Sequence, residues 1–202
     1  MKTVGILALQ GDFEAHRKAV ERAAAPQGKL PAIEVQARDV RTASDLAACD
    51  ALIIPGGESS TMWNLLEAEQ LTDAIRRFGA SKPIYGSCAG AILLAREVTH
   101  PAQGSLGLMD ISIERNAYGR QIDSRIAAVN TPVQGENQGE AGPMEAVFIR
   151  APIIRRAGPD AHVLASYGGD PIWVEQGRHM VTTFHPELTA DTRVHRRLLD
   201  KL

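Results

Sequence analysis

Short, unbroken apolar runs that alternate with helix-patterned stretches constrain this 202-residue chain more than any other feature. Residues 3–9 (TVGILAL) and 51–54 (ALII) are apolar at nearly every position, and 33–37 and 83–86 (PIYG) are of similar kind. A strand with apolar side chains on both of its faces must be covered on both, as happens when helices pack above and below a parallel sheet. Between the first two runs, residues 12–25 are rich in Ala, Glu, Arg and Lys, with Asp12 placed to cap a helix. Residues 61–67 and 71–78 repeat the helical pattern before 83–86. Alternation of this kind predicts a three-layer α/β sandwich around a mostly parallel central sheet, and the length suits a single domain over 1–202.

The second half changes character. Residues 111–114, 126–129, 144–149, 163–166, 172–175 and 180–184 form a series of short strand candidates, some extending the central sheet and others making a small antiparallel flap. Residues 134–143 (QGENQGEAGP) are polar, glycine-rich and aperiodic, and read as a mobile surface loop. The last twelve residues form a helix whose Arg193, Arg196, Arg197 and Lys201 read as a solvated basic face near the helix C-terminus rather than a nucleic-acid patch.

Charge and cysteine content narrow the function classes. With 22 Lys and Arg against 24 Asp and Glu, the net charge of −2 offers no broad attraction to a nucleic-acid backbone or an anionic membrane. The first apolar run meets Gln10, Gly11 and Asp12 before it could form the core of a signal peptide, and no apolar stretch nears the roughly 20 residues that span a bilayer. A cytoplasmic protein is expected. Cys49 and Cys88 are the only cysteines, so a disulfide framework is not expected, and Cys49, which lacks a special turn, reads as a structural thiol.

Three segments carry chemistry. Cys88 stands in Gly86-Ser87-Cys88-Ala89-Gly90, after a short apolar strand and before a helical run at 91–95. Small neighbours at a strand-to-helix turn suit a nucleophile elbow, and a helix N-terminus favours the thiolate. On its own, the same pattern also fits a buried structural thiol. His185-Pro186-Glu187 ends the last apolar run; with extended backbone through Pro186, both side chains project to one side, so Glu187 can orient His185 while His185 moves protons for Cys88. The alternative is a proline turn that ends a strand. Pro55-Gly56-Gly57-Glu58-Ser59-Ser60 follows another apolar strand, and its glycines let backbone amides approach a developing oxyanion. Gly57 and Ala89 are the candidate oxyanion donors; a plain turn into the next helix uses the same glycines.

Together and in this order, the glycine loop, the G-x-C-x-G elbow and the C-terminal H-P-E resemble the class I (triad) glutamine amidotransferases. LALQGDFEAH at 7–16, PGGESST at 55–61, the ERNAYGRQ stretch from Glu114, FIRAP at 148–152 and FHPELT at 184–189 resemble, from end to end, the branch that supplies ammonia to pyridoxal 5'-phosphate synthase. The resemblance implies a flavodoxin-like fold of that class, with no metal or organic cofactor. It implies hydrolysis of L-glutamine by a Cys88-His185-Glu187 triad through a thioester, with ammonia passed to a barrel-shaped synthase subunit. It also assigns glutamine contacts to Gly57, Glu58, Ser59, Arg115, Ile149 and Arg150, and places Gln10 and His16 on the edge that meets the partner. Residue chemistry suits Arg115 to the α-carboxylate and Glu58 to the α-amino group; by type alone, Arg115 would also fit a surface ion pair and Glu58 a helix N-terminus. His16 would equally fit an ordinary exposed helix position. Ser87 stands where this branch favours Thr, and Tyr118 where it favours Phe; 25–31 and 134–143 are longer than its pattern. Two rivals stand beside this reading: a cysteine-based redox or carbonyl sensor, which needs neither Glu187 nor Arg115, and a non-catalytic scaffold subunit, which needs no triad.

Overall fold

A computed structural model describes residues 1–28, 30–116, 124–133 and 142–202. Tyr118 and most of the expected loop at 134–143 lie outside the described residues. The chain begins β1 (Lys2–Leu7), α1 (Phe13–Ala24), β2 (Val35–Val40), α2 (Ala43–Ala47), β3 (Ala51–Ile54), α3 (Ser59–Ala68), α4 (Thr72–Gly79), β4 (Ile84–Ser87) and α5 (Ala89–Leu94). It continues as β5 (Ala95–Thr99), β6 (Met109–Glu114), β7 (Arg125–Val129), β8 (Met144–Phe148), β9 (Ile153–Ala157), β10 (Ala161–Tyr167), β11 (Asp170–Gln176) and β12 (His179–Thr182). A 3-10 turn at Pro186–Leu188 and α6 (Arg193–Leu199) close it.

The seven-stranded central sheet runs β10-β11-β12-β4-β3-β1-β2. Pairings from β12 through β2 are parallel, and β10 and β11 extend the sheet antiparallel. Successive residues of each inner strand divide between two cores, as the period of two requires. Leu7, Leu52, Ile54 and Val181 face α2, α3, α4 and α5, whereas Val4, Ile6, Ile53, Tyr85 and Met180 face α1 and α6. Each fully buried Ile or Leu in these layers contributes about 1.5–3 kcal/mol of transfer free energy. Two small sheets complete the outer layers: β5-β6-β9 packs on the first core and the antiparallel pair β7-β8 on the second.

Several expectations shift for identifiable reasons. β2 lies at Val35–Val40 and includes Arg38 and Asp39, because an edge strand with alternate residues exposed tolerates polar side chains. α2 is announced by Thr42 and Asp45, which cap one another, a signal short enough to pass for a loop. β9 was hidden by Arg155 and Arg156, whose guanidiniums pair outward with Glu114 and Asp110. The basic residues of the last helix are not a solvated face. Arg196 is buried and donates to the carbonyls of Ala23 and Pro31, Arg193 pairs with Asp191, and Arg197 and Lys201 share Glu175. These cations hold α6 to the rest of the fold. Among the described residues no helix is long and apolar enough to cross a membrane.

Candidate active site

The carboxyl ends of β1, β3, β4 and β12 converge, and the site is built there. β4 delivers Cys88 through a turn in which Cys88 itself adopts φ 48° and ψ −102°, a conformation that non-glycine residues rarely hold. Two glycines make that turn possible. A Cβ on Gly86 would meet the backbone of Gly90, and one on Gly90 would strike the carbonyl of Ile54. The elbow is tied down by the Cys88 amide, which donates to the Thr182 carbonyl of β12 at 2.8 Å. Cys88 is 7 % exposed and recessed in a cavity.

His185 reaches the same cavity from β12. Its amide donates to Val147 of β8 at 2.8 Å, and its Nδ1 lies 2.7 Å from Glu187 Oε1. The expected extended backbone through Pro186 is absent. Proline, favoured in a first helical turn, opens the 3-10 turn here, and it is this tight turn that folds Glu187 back under the imidazole. Burial alone would lower the His185 pKa, but the neighbouring Cys88 and Glu187 raise it to about 10. Burial likewise opposes the charge on Glu187, yet the proximity of His16 and the bond to His185 hold it at about 2. The pair is thus an imidazolium and a carboxylate at neutral pH.

Gly56 and Gly57 serve the site in two ways. A Cβ on Gly56 would overlap the Cε1 of His185, so this glycine makes room for the ring. Gly57, at φ 148°, borders the cavity with the Gln10 carboxamide against its α-carbon. The two candidate oxyanion donors are placed differently: Gly57 lines the cavity, while Ala89 is buried directly behind Cys88 at the start of α5.

The cavity has a volume of about 320 Å³, enough for an amino-acid side chain and its backbone. All six expected substrate contacts (Gly57, Glu58, Ser59, Arg115, Ile149 and Arg150) line it together with Cys88 and His185. Glu58 also caps α3. Its Oε1 accepts from the Ser60 amide, the Ser60 hydroxyl and Arg115, and its Oε2 from the Thr61 amide and hydroxyl. Slight burial opposes the charge, but these bonds from Thr61 and Ser60 bring the Glu58 pKa to about 2. Five donors on two oxygens occupy the carboxylate. Arg115 is fixed by Glu58 at 3.3 Å and by the Ser60 hydroxyl at 2.7 Å. The ion-pair and helix-cap readings of these two residues therefore hold alongside their place in the cavity wall.

The SNO glutamine amidotransferase family model matches residues 6–202. The chain belongs to this family. It is 55 % identical over 202 residues to the pyridoxal 5'-phosphate synthase subunit PdxT of Solibacter usitatus, with all of both chains covered. It is 43 % identical over 200 residues to the subunit of the same name from Thermus thermophilus, covering 98 % of this chain and 96 % of that one. A crystal structure of a glutamine amidotransferase superposes with a TM-score of 0.84 at 39 % identity, over 98 % of this chain and 97 % of the other.

Four cavity residues were not expected as substrate contacts: Gln10, Ile92, Asn116 and Pro152. Asn116 and Pro152 sit inside the ERN and FIRAP motifs, and Gln10 follows β1 at the sheet's carboxyl edge, so each carried a positional signal. His16 is a correction. It is not on an exposed helix face but 0 % exposed, with Nδ1 3.0 Å from His195 Nε2 and Nε2 3.0 Å from the Ser87 hydroxyl. The α1 face that carries it also carries Ala19, Val20 and Ala23, and packs inward.

Proposed function

We propose that this chain hydrolyses L-glutamine to L-glutamate and ammonia and supplies the ammonia to a pyridoxal 5'-phosphate synthase complex. The observation that carries the reading is the meeting of Cys88 and His185 on one cavity, with Glu187 bonded to the far side of the imidazole at 2.7 Å. The sulfur of Cys88 attacks the side-chain amide carbon of glutamine. The C=O π electrons move to oxygen, and the amides of Gly57 and Ala89 stabilise that oxyanion. His185, already protonated at neutral pH, gives its proton to the amide nitrogen as the C–N bond breaks and ammonia leaves. A thioester remains. Water then attacks it, His185 takes the water's proton, and glutamate departs with Cys88 restored.

Arg115 and Arg150 supply the positive wall for the substrate α-carboxylate, and the fixed charge of Glu58 favours the α-ammonium group. Residues 1–202 act as one glutaminase domain. The names of its relatives support a synthase partner, and we assign that partner a barrel-shaped subunit that receives the ammonia. The same reading places the chain in the cytoplasm, where Cys88 stays reduced.

Ammonia and glutamate release, measured for the chain alone and with its co-purified synthase partner, tests the proposal. Cys88→Ala is expected to lose about 10⁶-fold in kcat while keeping the native circular dichroism spectrum. A glutamine-analogue electrophile should alkylate Cys88 in the native chain. Retained glutaminase activity in Cys88→Ala, or a complex that makes no glutamate, defeats the assignment; reaction with simple oxidants but not with the analogue favours a sensor.

A further inference from the structure

Behind the imidazole lies a set of buried polar side chains that glutamine cannot touch. They come from five places in the chain: His16 on α1, Tyr85 and Ser87 on β4, Thr182 on β12, Glu187 in the 3-10 turn and His195 on α6. His16 Nδ1 lies 3.0 Å from His195 Nε2, and His16 Nε2 lies 3.0 Å from the Ser87 hydroxyl and 3.5 Å from Glu187 Oε2. Among the described residues Glu187 Oε2 and His195 Nδ1 have no hydrogen-bond partner.

The direction of every bond in this set can be worked out from its ends. Thr182 donates its only hydroxyl proton to the Phe184 carbonyl at 2.9 Å, so the Tyr85 hydroxyl must donate to Thr182 Oγ1 at 2.8 Å. The Ser87 hydroxyl lies 3.0 Å from His16 Nε2 and can accept a proton from it. Burial lowers the pKa of His16 and brings that of His195 to about 3, so each ring is neutral and carries one proton. A proton on His16 Nε2 leaves Nδ1 to accept from His195 Nε2–H, and the unpartnered His195 Nδ1 is then a lone pair. The opposite tautomers would bury an orphaned N–H and turn a lone pair of His16 toward a carboxylate 3.5 Å away. Orphaned buried N–H groups are the rarer and costlier case.

We infer that His16 is a positioning residue of the triad: its Nε2–H, bonded to Ser87 at 3.0 Å, also turns its positive end toward the second oxygen of Glu187 at 3.5 Å and so holds that carboxylate in register with His185, while His195 fixes the His16 tautomer from behind. The polar cluster also touches the residue before each other triad member: His16 bonds to Ser87 ahead of Cys88, and Thr182, which pairs with Tyr85, bonds to Phe184 ahead of His185. The Tyr85 ring packs edge-on against His16 and His195, which joins the two sets of bonds.

This inference rests on the glutaminase reading for its kinetic test, and on the wild-type chain alone for its spectroscopic one. In His16→Asn the amide overlays Nδ1 and can still accept from His195, but it stops short of Glu187; in His16→Gln it overlays Nε2 and restores the donor. Assayed in the assembled complex, His16→Asn should lower kcat about tenfold with KM within about twofold, and His16→Gln should recover to within about threefold of wild type. Equal kcat in the two variants, or wild-type kcat in His16→Asn, overturns the inference; a merely structural role would lower Tm in both and leave the kcat of folded enzyme unchanged. Nitrogen-15 spectra of the wild-type chain should show His16 and His195 as neutral Nε2–H tautomers, and an Nδ1–H on either ring overturns the inference even where no variant folds. A wild-type complex without glutaminase activity would sink the functional reading and leave the tautomer result to judge the network.

Discussion

The two sides of the His185 ring are built by opposite means. Toward the cavity the walls are loops: the Gly56–Gly57 turn after β3, the Cys88 elbow after β4, and the segments carrying Arg115 and Arg150. Away from it the ring rests on Glu187 and on a buried network drawn from α1, β4, β12 and α6. The first side must open to admit a charged amino acid, and loops at the carboxyl edge of a parallel sheet can vary without disturbing the core. The second side must stay dry, because a carboxylate holds its charge and its aim in a low dielectric only if a few fixed partners surround it. Chemistry is read on the open side, and geometry is set on the closed one.

The comparison breaks if the closed side proves dispensable. Glu187→Gln keeps the shape but cannot stabilise an imidazolium, and kcat should fall about 10⁴-fold with the fold unchanged, as loss of the third triad member does elsewhere. Single-turnover kinetics with glutamine would measure it. A loss of only a few-fold would mean that the elbow and cavity suffice and that the dry side is mere packing.

Gly56→Ala probes the seam between the sides. Its Cβ would fall on His185 Cε1, so the ring must shift while Cys88, Glu187 and the cavity charges remain. A displacement of about 1 Å costs on the order of 10²-fold in rate. Steady-state kinetics should therefore show a fall in kcat of that size, with a modest loss in Tm. Normal turnover would show that the imidazole has freedom the packing denies it.

Much of the open side was legible because its residues are consecutive. Glycines that a tight elbow or a neighbouring ring demands announce themselves as G-x-C-x-G and P-G-G-E, and the helical patterning of α1 and α3 stands apart from the unbroken apolar runs of β1 and β3. The closed side gave no such signal. His16 and His195 are 179 positions apart and each resembles a surface residue on an amphipathic helix; only the packing of α1 on α6 brings them together. The same blindness misread Arg196, since a long cation that donates to buried carbonyls has the residue type of a solvated one. Pro186 misled in the other direction: a proline compatible with extended chain opened a 3-10 turn, and the turn rather than the period of two brought Glu187 to His185.

Titration sharpens the contrast, because the two sides respond at opposite ends of the pH scale. His185, raised to about 10 against burial by Cys88 and Glu187, must hold its proton to release ammonia, so kcat should fall about tenfold per pH unit above 10. Its stabilising pair with Glu187 is intact below pH 6.5 and is lost as pH rises through 10. His195 and His16 run the other way. Burial lowers both, to about 3 for His195, so the unfolded chain binds protons that the folded chain refuses; their contribution is full above pH 6.5 and is lost as pH falls toward 3. Denaturant titrations from pH 4 to 10 should show stability rising from the acid limb, and a flat acid limb would mean that the buried network admits protons or water.

The smallest effect expected is also the most selective. Cys49 is as buried as Cys88, but it lies against β1, where Gly5 leaves room for its sulfur, and donates to the Asp45 carbonyl in ordinary packing. Burial pushes its thiol pKa up, away from the reactive form. Cys49→Ala should cost about 1 kcal/mol and leave kcat within about twofold of wild type. With Cys49 gone, a glutamine-analogue electrophile should still modify one thiol and abolish all activity, whereas persistence of activity after full labelling would separate the reactive sulfur from the reaction.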